Sequence, residues 1–124
     1  MKIQESAENY LEAILMIGRR KPHVRSIDVA NELNFRKSSV SVAMKNLREE
    51  GCITVDDAGF LYLTEKGKKI AEVIYERHEW LSRWFVSLGV DPDTAVKDAC
   101  RMEHVISRDT FEALKRNFSD KEAF

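Results

Sequence analysis

Cys100, Glu103 and His104 fall in the stretch DACRMEHVIS and place a thiol, a carboxylate and an imidazole side by side in a chain with two cysteines and three histidines. On a helix advancing about 100° per residue they span an arc of about 100°, so the three donors can converge on one point. Three ligands from one helix do not close the shell of a first-row metal, and a facing element must supply more. Two segments offer them: Asn9 and Glu12 on the polar side of the first helix, and His78 beside the apolar stripe of a long helix. Together the six make a mixed nitrogen, oxygen and sulfur set. With one soft thiolate among harder groups, it suits Fe(II) best and accepts Mn(II), Co(II), Ni(II) or Zn(II). Each residue also has an ordinary reading: a helix cysteine is commonly core, a glutamate solvated, a histidine satisfied at an internal contact.

Other chemistry is less well supported. Cys100 and His104 stand four apart on one helix, a poor geometry for a thiol and its base. HEWLS starts like a zinc-protease helix, but Ser82 replaces the second histidine. Phosphate-cradling loop, nucleophile elbow and zinc ribbon are all missing, so an enzyme, such as a metal-dependent hydrolase with an appendage, is the weaker class. A regulator that senses oxidants through the Cys100 or Cys52 thiol, without metal, is the main alternative.

The elements that position these groups can be read from periodicity. With 124 residues, 44% hydrophobic and 33% charged, the chain reads as an ordered soluble protein. No export signal or membrane span is visible, so the cytoplasm and reduced thiols are expected. Tyr10, Leu11, Ile14, Leu15 and Ile17 mark a first helix over 6–17, with Gly18 as its stop. Ser26 is expected to cap a second helix that Asn34 ends, and Ser38 and Ser39 to open a third that ends at Gly51. The runs around Asp56-Asp57-Ala58-Gly59 predict a hairpin. From Glu65 a helical stripe of Ile70, Val73, Ile74, Arg77, Leu81, Trp84, Phe85 and Leu88 reaches Gly89. Asp91-Pro92 starts a fifth helix, Thr110 to Asn117 form a sixth, and the SDKEAF tail reads as frayed.

The second and third helices with the hairpin form a winged helix-turn-helix. The N-terminal part of its reader helix assigns Arg36, Lys37, Ser38, Ser39, Ser41, Val42 and Lys45 to DNA, with Arg48 further along. Net charge is −1, so nucleic-acid affinity must come from this local placement. The acidic tip, Asp56 and Asp57, leaves the wing's shoulders, Thr54 and Tyr62, as its possible contacts. A protein-interaction winged domain is the bland reading of the same module. Trp80, Trp84 and Phe85, with Met102 and Val105, are more apolar surface than about fifty residues bury alone, which predicts a homodimer. The fold class is mainly α, with a domain boundary near Ala71: 1–71 the winged module, 72–124 all helical.

SAENYLEAIL, KSSVSVAMKNL, LYLTEKGKKIA, RHEWL and ACRMEHVIS together resemble the diphtheria-toxin-repressor family of metal-dependent transcriptional repressors, over nearly the whole chain. The resemblance implies that 72–124 is a dimerisation and metal-binding domain. It further implies that the homodimer holds palindromic double-stranded operator DNA when loaded with Fe(II) or Mn(II) and controls metal-uptake genes. It implies neither a membrane nor a small-molecule substrate. Carried over by position, Asn9, Cys100, Glu103 and His104 form the principal metal site. Glu12 and His78 match ligands of the manganese-sensing branch, and in the iron-sensing branch His78 matches an ancillary ligand. Asn9 departs from the methionine of iron types and the aspartate of manganese types. Cys100 sides with iron, while Ser82 and Val96 replace ancillary ligands, and the third, SH3-like domain of longer members is not expected.

Overall fold

The computed structural model describes residues 5–118; the SDKEAF tail lies outside them. Among these residues six helices and one hairpin follow in the order α1 (Glu5–Arg20), α2 (Ser26–Leu33), α3 (Lys37–Glu49), β1 (Ile53–Val55), β2 (Leu61–Leu63), α4 (Glu65–Ser87), α5 (Pro92–Met102) and α6 (Arg108–Asn117). The chain divides within α4 into two compact units, the first through Glu72 and the second from Val73.

The first unit is built on the apolar faces that periodicity marks. Leu11, Ile14 and Ile17 of α1 meet Val29 and Ala30 of α2 and Val40, Met44 and Leu47 of α3, all buried in one core with Ile53 and Leu61 of the hairpin. Each such side chain contributes roughly 1.5–3 kcal/mol by leaving water. Asn34 ends α2 in the left-handed conformation, φ 57°, which asparagine tolerates better than most residues. The hairpin pairs Ile53 with Leu63, Thr54 with Tyr62 and Val55 with Leu61, antiparallel, and Val24 adds a bridge to Leu61. Gly67 is required by close approach: a Cβ there would lie 2.0 Å from the Cys52 carbonyl oxygen. The same corner is tied by Thr64, whose hydroxyl donates to the Gly51 carbonyl at 2.6 Å and whose N–H donates to that of Cys52 at 3.0 Å.

In the second unit Trp80, Leu81, Ala99 and Phe111 are the buried centre, and Trp84, Phe85, Met102, Ile106 and Leu114 pack around it. Asp91 caps α5, its carboxylate accepting from the N–H groups of Asp93 and Thr94, and Pro92 sits in the first turn, where it lacks only an N–H that the helix does not use. Ala95 and Ala99 of α5 are both fully buried.

Several boundaries differ from the expected ones. α1 continues through Gly18 to Arg20, because a helical glycine costs only about 1 kcal/mol and two basic residues favour the C-terminal end. Arg25, not Ser26, is the N-cap of α2; the Asp28 carboxylate reaches back to accept from its N–H at 2.9 Å. α3 begins at Lys37 with Arg36 as cap, and α6 begins at Arg108, capped by Ser107. Val73 and Leu88, expected on the apolar stripe of α4, are exposed.

Candidate metal centre and nucleic-acid interface

The motif residues do not all lie on a helix. α5 ends at Met102, Glu103 is its C-cap with φ −59° and ψ −23°, and His104 is in the following turn. Glu103 keeps helical dihedrals and donates its N–H to the Ala99 carbonyl, so the expected approach to Cys100 survives for the carboxylate but not as a helix face for His104. What holds the turn is Arg77 on α4. Its guanidinium donates to the carbonyls of Glu103 at 3.1 Å and Ile106 at 2.9 Å, and it lies over the Phe111 ring. These are carbonyls past the end of a helix, which need donors from elsewhere. Sequence reasoning placed Arg77 merely on the apolar stripe. A lone arginine there, next to His78, was the signal that it serves a buried carbonyl.

Glu103 is fully buried, and an imidazole stands at each of its oxygens. His78 Nδ1 is 3.0 Å from Oε2 and His104 Nε2 is 3.3 Å from Oε1. Cys100, exposed on the last turn of α5, puts Sγ 3.7 Å from the same His78 Nδ1. Hydrogen bonding to Cys100 first and to Glu103 second outweighs burial and pushes the His78 pKa from 6.5 up to about 10. Without a cation, then, His78 carries the proton that balances the buried carboxylate.

The donor atoms of His78, Cys100 and Glu103 all lie within 4.8 Å of one another. Ligand bonds of about 2.0–2.3 Å allow two donors on one ion to stand up to roughly 4.5 Å apart. Soft sulfur, imidazole and carboxylate therefore fit a first-row divalent ion, which would take over the charge balance that the His78 proton provides. Asn9 and Glu12 stand on α1 of the first unit, Asn9 half-buried and Glu12 buried.

Of the residues expected at the dimer contact, Trp80 belongs to the internal core, edge-on to Phe111 at 5.8 Å. Trp84 and Phe85 are half-buried beside it. The large apolar side chains left open among the described residues of this unit are Val73, Val86, Leu88, Val96, Val105 and Phe118.

On the first unit, every residue assigned to DNA is exposed: Arg36, Lys37, Ser38, Ser39, Ser41, Val42 and Lys45. Val40, Met44 and Leu47 turn the opposite face of α3 into the core, so burial leaves the basic face outward. The wing tip is organised by Asp56. Its carboxylate accepts from the N–H groups of Ala58 and Phe60 and from the Tyr62 hydroxyl at 3.1 Å. The Phe60 N–H, the largest influence, helps to hold the Asp56 carboxyl below its ordinary value. Asp56 is thus a turn-former, and Tyr62, expected as a free shoulder, is engaged by it. Arg25 and His23 lie against the Phe60 ring, at 4.5 Å and 4.3 Å from its centroid, a cluster not anticipated from sequence.

A winged helix-turn-helix followed by a helical unit with a thiol, imidazole and carboxylate cluster defines a metal-dependent transcriptional regulator. Residues 2–59 match the iron dependent repressor N-terminal DNA binding domain, and residues 64–121 the iron dependent repressor metal binding and dimerisation domain. The uncharacterised HTH-type transcriptional regulator MJ0568 of Methanocaldococcus jannaschii is 33% identical, over 96% of this chain and 99% of its own. The transcriptional regulator MntR of Escherichia coli O6:H1 is 31% identical, over 90% of this chain and 72% of its own. A solved structure of a manganese-dependent transcriptional repressor complexed with manganese shares the fold with TM-score 0.82 at 24% identity, over 90% of this chain and 51% of that one.

The chain belongs to the iron-dependent repressor family, the metal-dependent transcriptional repressors of diphtheria-toxin-repressor and MntR type. Its members are regulators, not enzymes, and a metal-independent thiol sensor is not the favoured reading of Cys100. No helix among the described residues is long and apolar enough to cross a membrane.

Proposed function

We propose that the chain acts as a homodimer that binds palindromic operator DNA when loaded with a divalent ion, Fe(II) first and Mn(II) next, and represses genes of metal homeostasis. Cys100, Glu103, His104 and His78 hold the ion in this reading; Asn9 and Glu12 join the set on residue type, spacing and resemblance. Co(II), Ni(II) and Zn(II) serve as surrogates. The observation that carries the proposal is the fully buried Glu103 carboxylate with imidazoles at 3.0 and 3.3 Å and the Cys100 sulfur beside one of them. A sulfur donor favours Fe(II) over the harder Mn(II).

Arg36, Lys37 and Lys45 neutralise phosphates, while the serines and Val42 face base edges. Dimerisation through the second unit covers Trp84, Phe85 and the open valines, and twofold symmetry suits a palindrome with half-sites about one turn, roughly 34 Å, apart. A swing from mostly free to mostly bound requires the ion to favour the DNA-competent state by on the order of 5 kcal/mol.

The test is an anaerobic mobility shift with Fe(II) on a duplex enriched from a random library by the loaded protein. His104→Ala should abolish Fe(II)-dependent retention while far-UV circular dichroism stays helical. An undiminished shift by that variant would contradict the proposed centre.

A further inference from the structure

Two residues of the first unit are not the ones its own packing would select, and both border one groove. Gly18 lies in the last turn of α1 with an ordinary negative φ, and a Cβ there would meet only a Val24 methyl at 3.9 Å, a comfortable contact. Alanine would fit and would favour the helix by about 1 kcal/mol. Pro22 stands opposite Leu63 in the antiparallel register that the bridge between Val24 and Leu61 sets. Proline has no N–H to give, and no backbone hydrogen bond joins the two, so the ladder stops after one rung.

The missing side chain and the missing rung border a groove of about 290 Å³. Ile14, Leu15, Leu61 and Leu63 give it apolar walls, and both charged residues that line it, Arg19 and Lys68, are basic. Lys68 is exposed and makes no ion pair among the described residues. One wall is a strand edge. Leu61 gives its N–H to the Val24 carbonyl at 2.7 Å on the side away from β1, and the alternation of antiparallel pairing turns the N–H and C=O of Leu63 to that same side. The volume is just under the roughly 300–1,000 Å³ of small-molecule sites. A strand edge, an apolar slot and two cations suit an extended peptide, whose backbone pairs with the edge while one side chain fills the slot.

We infer that this groove on the first unit docks a partner protein, taking from it an extended acidic segment with one apolar anchor residue. The anchor occupies the space beside Gly18, the backbone of the segment meets Leu63, and its carboxylates pair with Lys68 and Arg19. Exposed ion pairs contribute little affinity each, so the anchor supplies most of the binding and the cations select the partner. None of the lining residues belongs to α3, so the site does not rest on the operator-binding reading.

A random heptapeptide library displayed on phage and selected on the full chain supplies the probe. Enriched sequences should carry aspartate or glutamate on both sides of one large apolar residue. Fluorescence anisotropy with the labelled enriched peptide then compares variants whose helicity is checked by circular dichroism. Lys68→Glu should weaken binding about tenfold, the loss of one exposed pair together with a new repulsion. Gly18→Leu, which fills the slot, should abolish binding, and Gly18→Ala should weaken it less. Lys97→Glu, an equivalent charge reversal on the second unit, should leave it unchanged. Enrichment of no peptide, or of peptides without acids, overturns the proposal. So does wild-type affinity in Gly18→Leu or, should that variant fail to fold, in Lys68→Glu. A bound fraction that falls as the chain is concentrated means that a second copy fills the groove, and overturns the partner reading.

Discussion

The two units bury their residues on different terms. Among the described residues the apolar cluster of the first contains fifteen buried side chains, drawn from α1, α2, α3, the start of α4, the hairpin and the segments beside them; that of the second contains four. The second also buries the Glu103 carboxylate completely, with nitrogens of His78 and His104 at 3.0 and 3.3 Å from its oxygens, and leaves Val86, Leu88, Val96 and Val105 open to solvent. The first unit is thus held chiefly by hydrophobic burial, with the Glu12 carboxylate buried on α1 beside it. The second has a smaller core beside a completely buried carboxylate, and a cation in place of the His78 proton would change the charge balance there, the property a metal-responsive element needs.

The largest expected effect tests the first half of that contrast. Gly67→Ala sets a methyl against the Cys52 carbonyl, where backbone has nowhere to retreat, and should destabilise the first unit by about 3–5 kcal/mol. Thermal unfolding followed by circular dichroism measures it; a midpoint within a degree or two of the wild type would mean that this corner is not packed as described.

A smaller loss should follow Arg77→Ala in the second unit. It removes the donors to the Glu103 and Ile106 carbonyls and should cost about 2–3 kcal/mol. Because the turn carrying Glu103 and His104 loses its support, Fe(II) affinity should also fall about 10–100-fold. Calorimetric titration with unchanged affinity would show that Arg77 supports the fold alone.

The mildest effect is on pH dependence. The His78 pKa rises from 6.5 to about 10 in the metal-free fold, so its contribution to stability is full below pH 6.5 and is lost as pH rises through about 10. His78→Ala should therefore lower the metal-free unfolding midpoint more at pH 6 than at pH 10. A metal must displace the same proton, so wild-type affinity for Co(II) should rise with pH near neutrality, and His78→Ala should flatten that rise. Parallel profiles for the two proteins would contradict the assignment.

Much of this architecture was legible in the sequence because its causes are local. Asn34 and Asp91 act on their own helix ends, and the stripes of α1 and α3 follow from periodicity. The exposed face of α3 was legible for the same reason, being what remains when Val40, Met44 and Leu47 are turned inward. Positions that misled turned on competition between local signals at two helix ends and on a distant contact at a third. Ser26 gave way to Arg25 because Asp28 already satisfied the cap, and α1 outran Gly18 because nothing there opposed it. At the His78, Cys100, Glu103 and His104 cluster the residue types were readable, but the place where α5 ends was not. Arg77, more than twenty residues away in sequence, collects the carbonyls of the turn, and only the fold brings it there.

The most direct measurement is operator binding before and after exhaustive removal of divalent ions. Fluorescence anisotropy with a labelled library-enriched duplex, at fixed salt and without oxygen, should show affinity falling at least about 100-fold on stripping, and Fe(II) restoring it. Equal affinity of the stripped and loaded protein for that duplex would contradict the account.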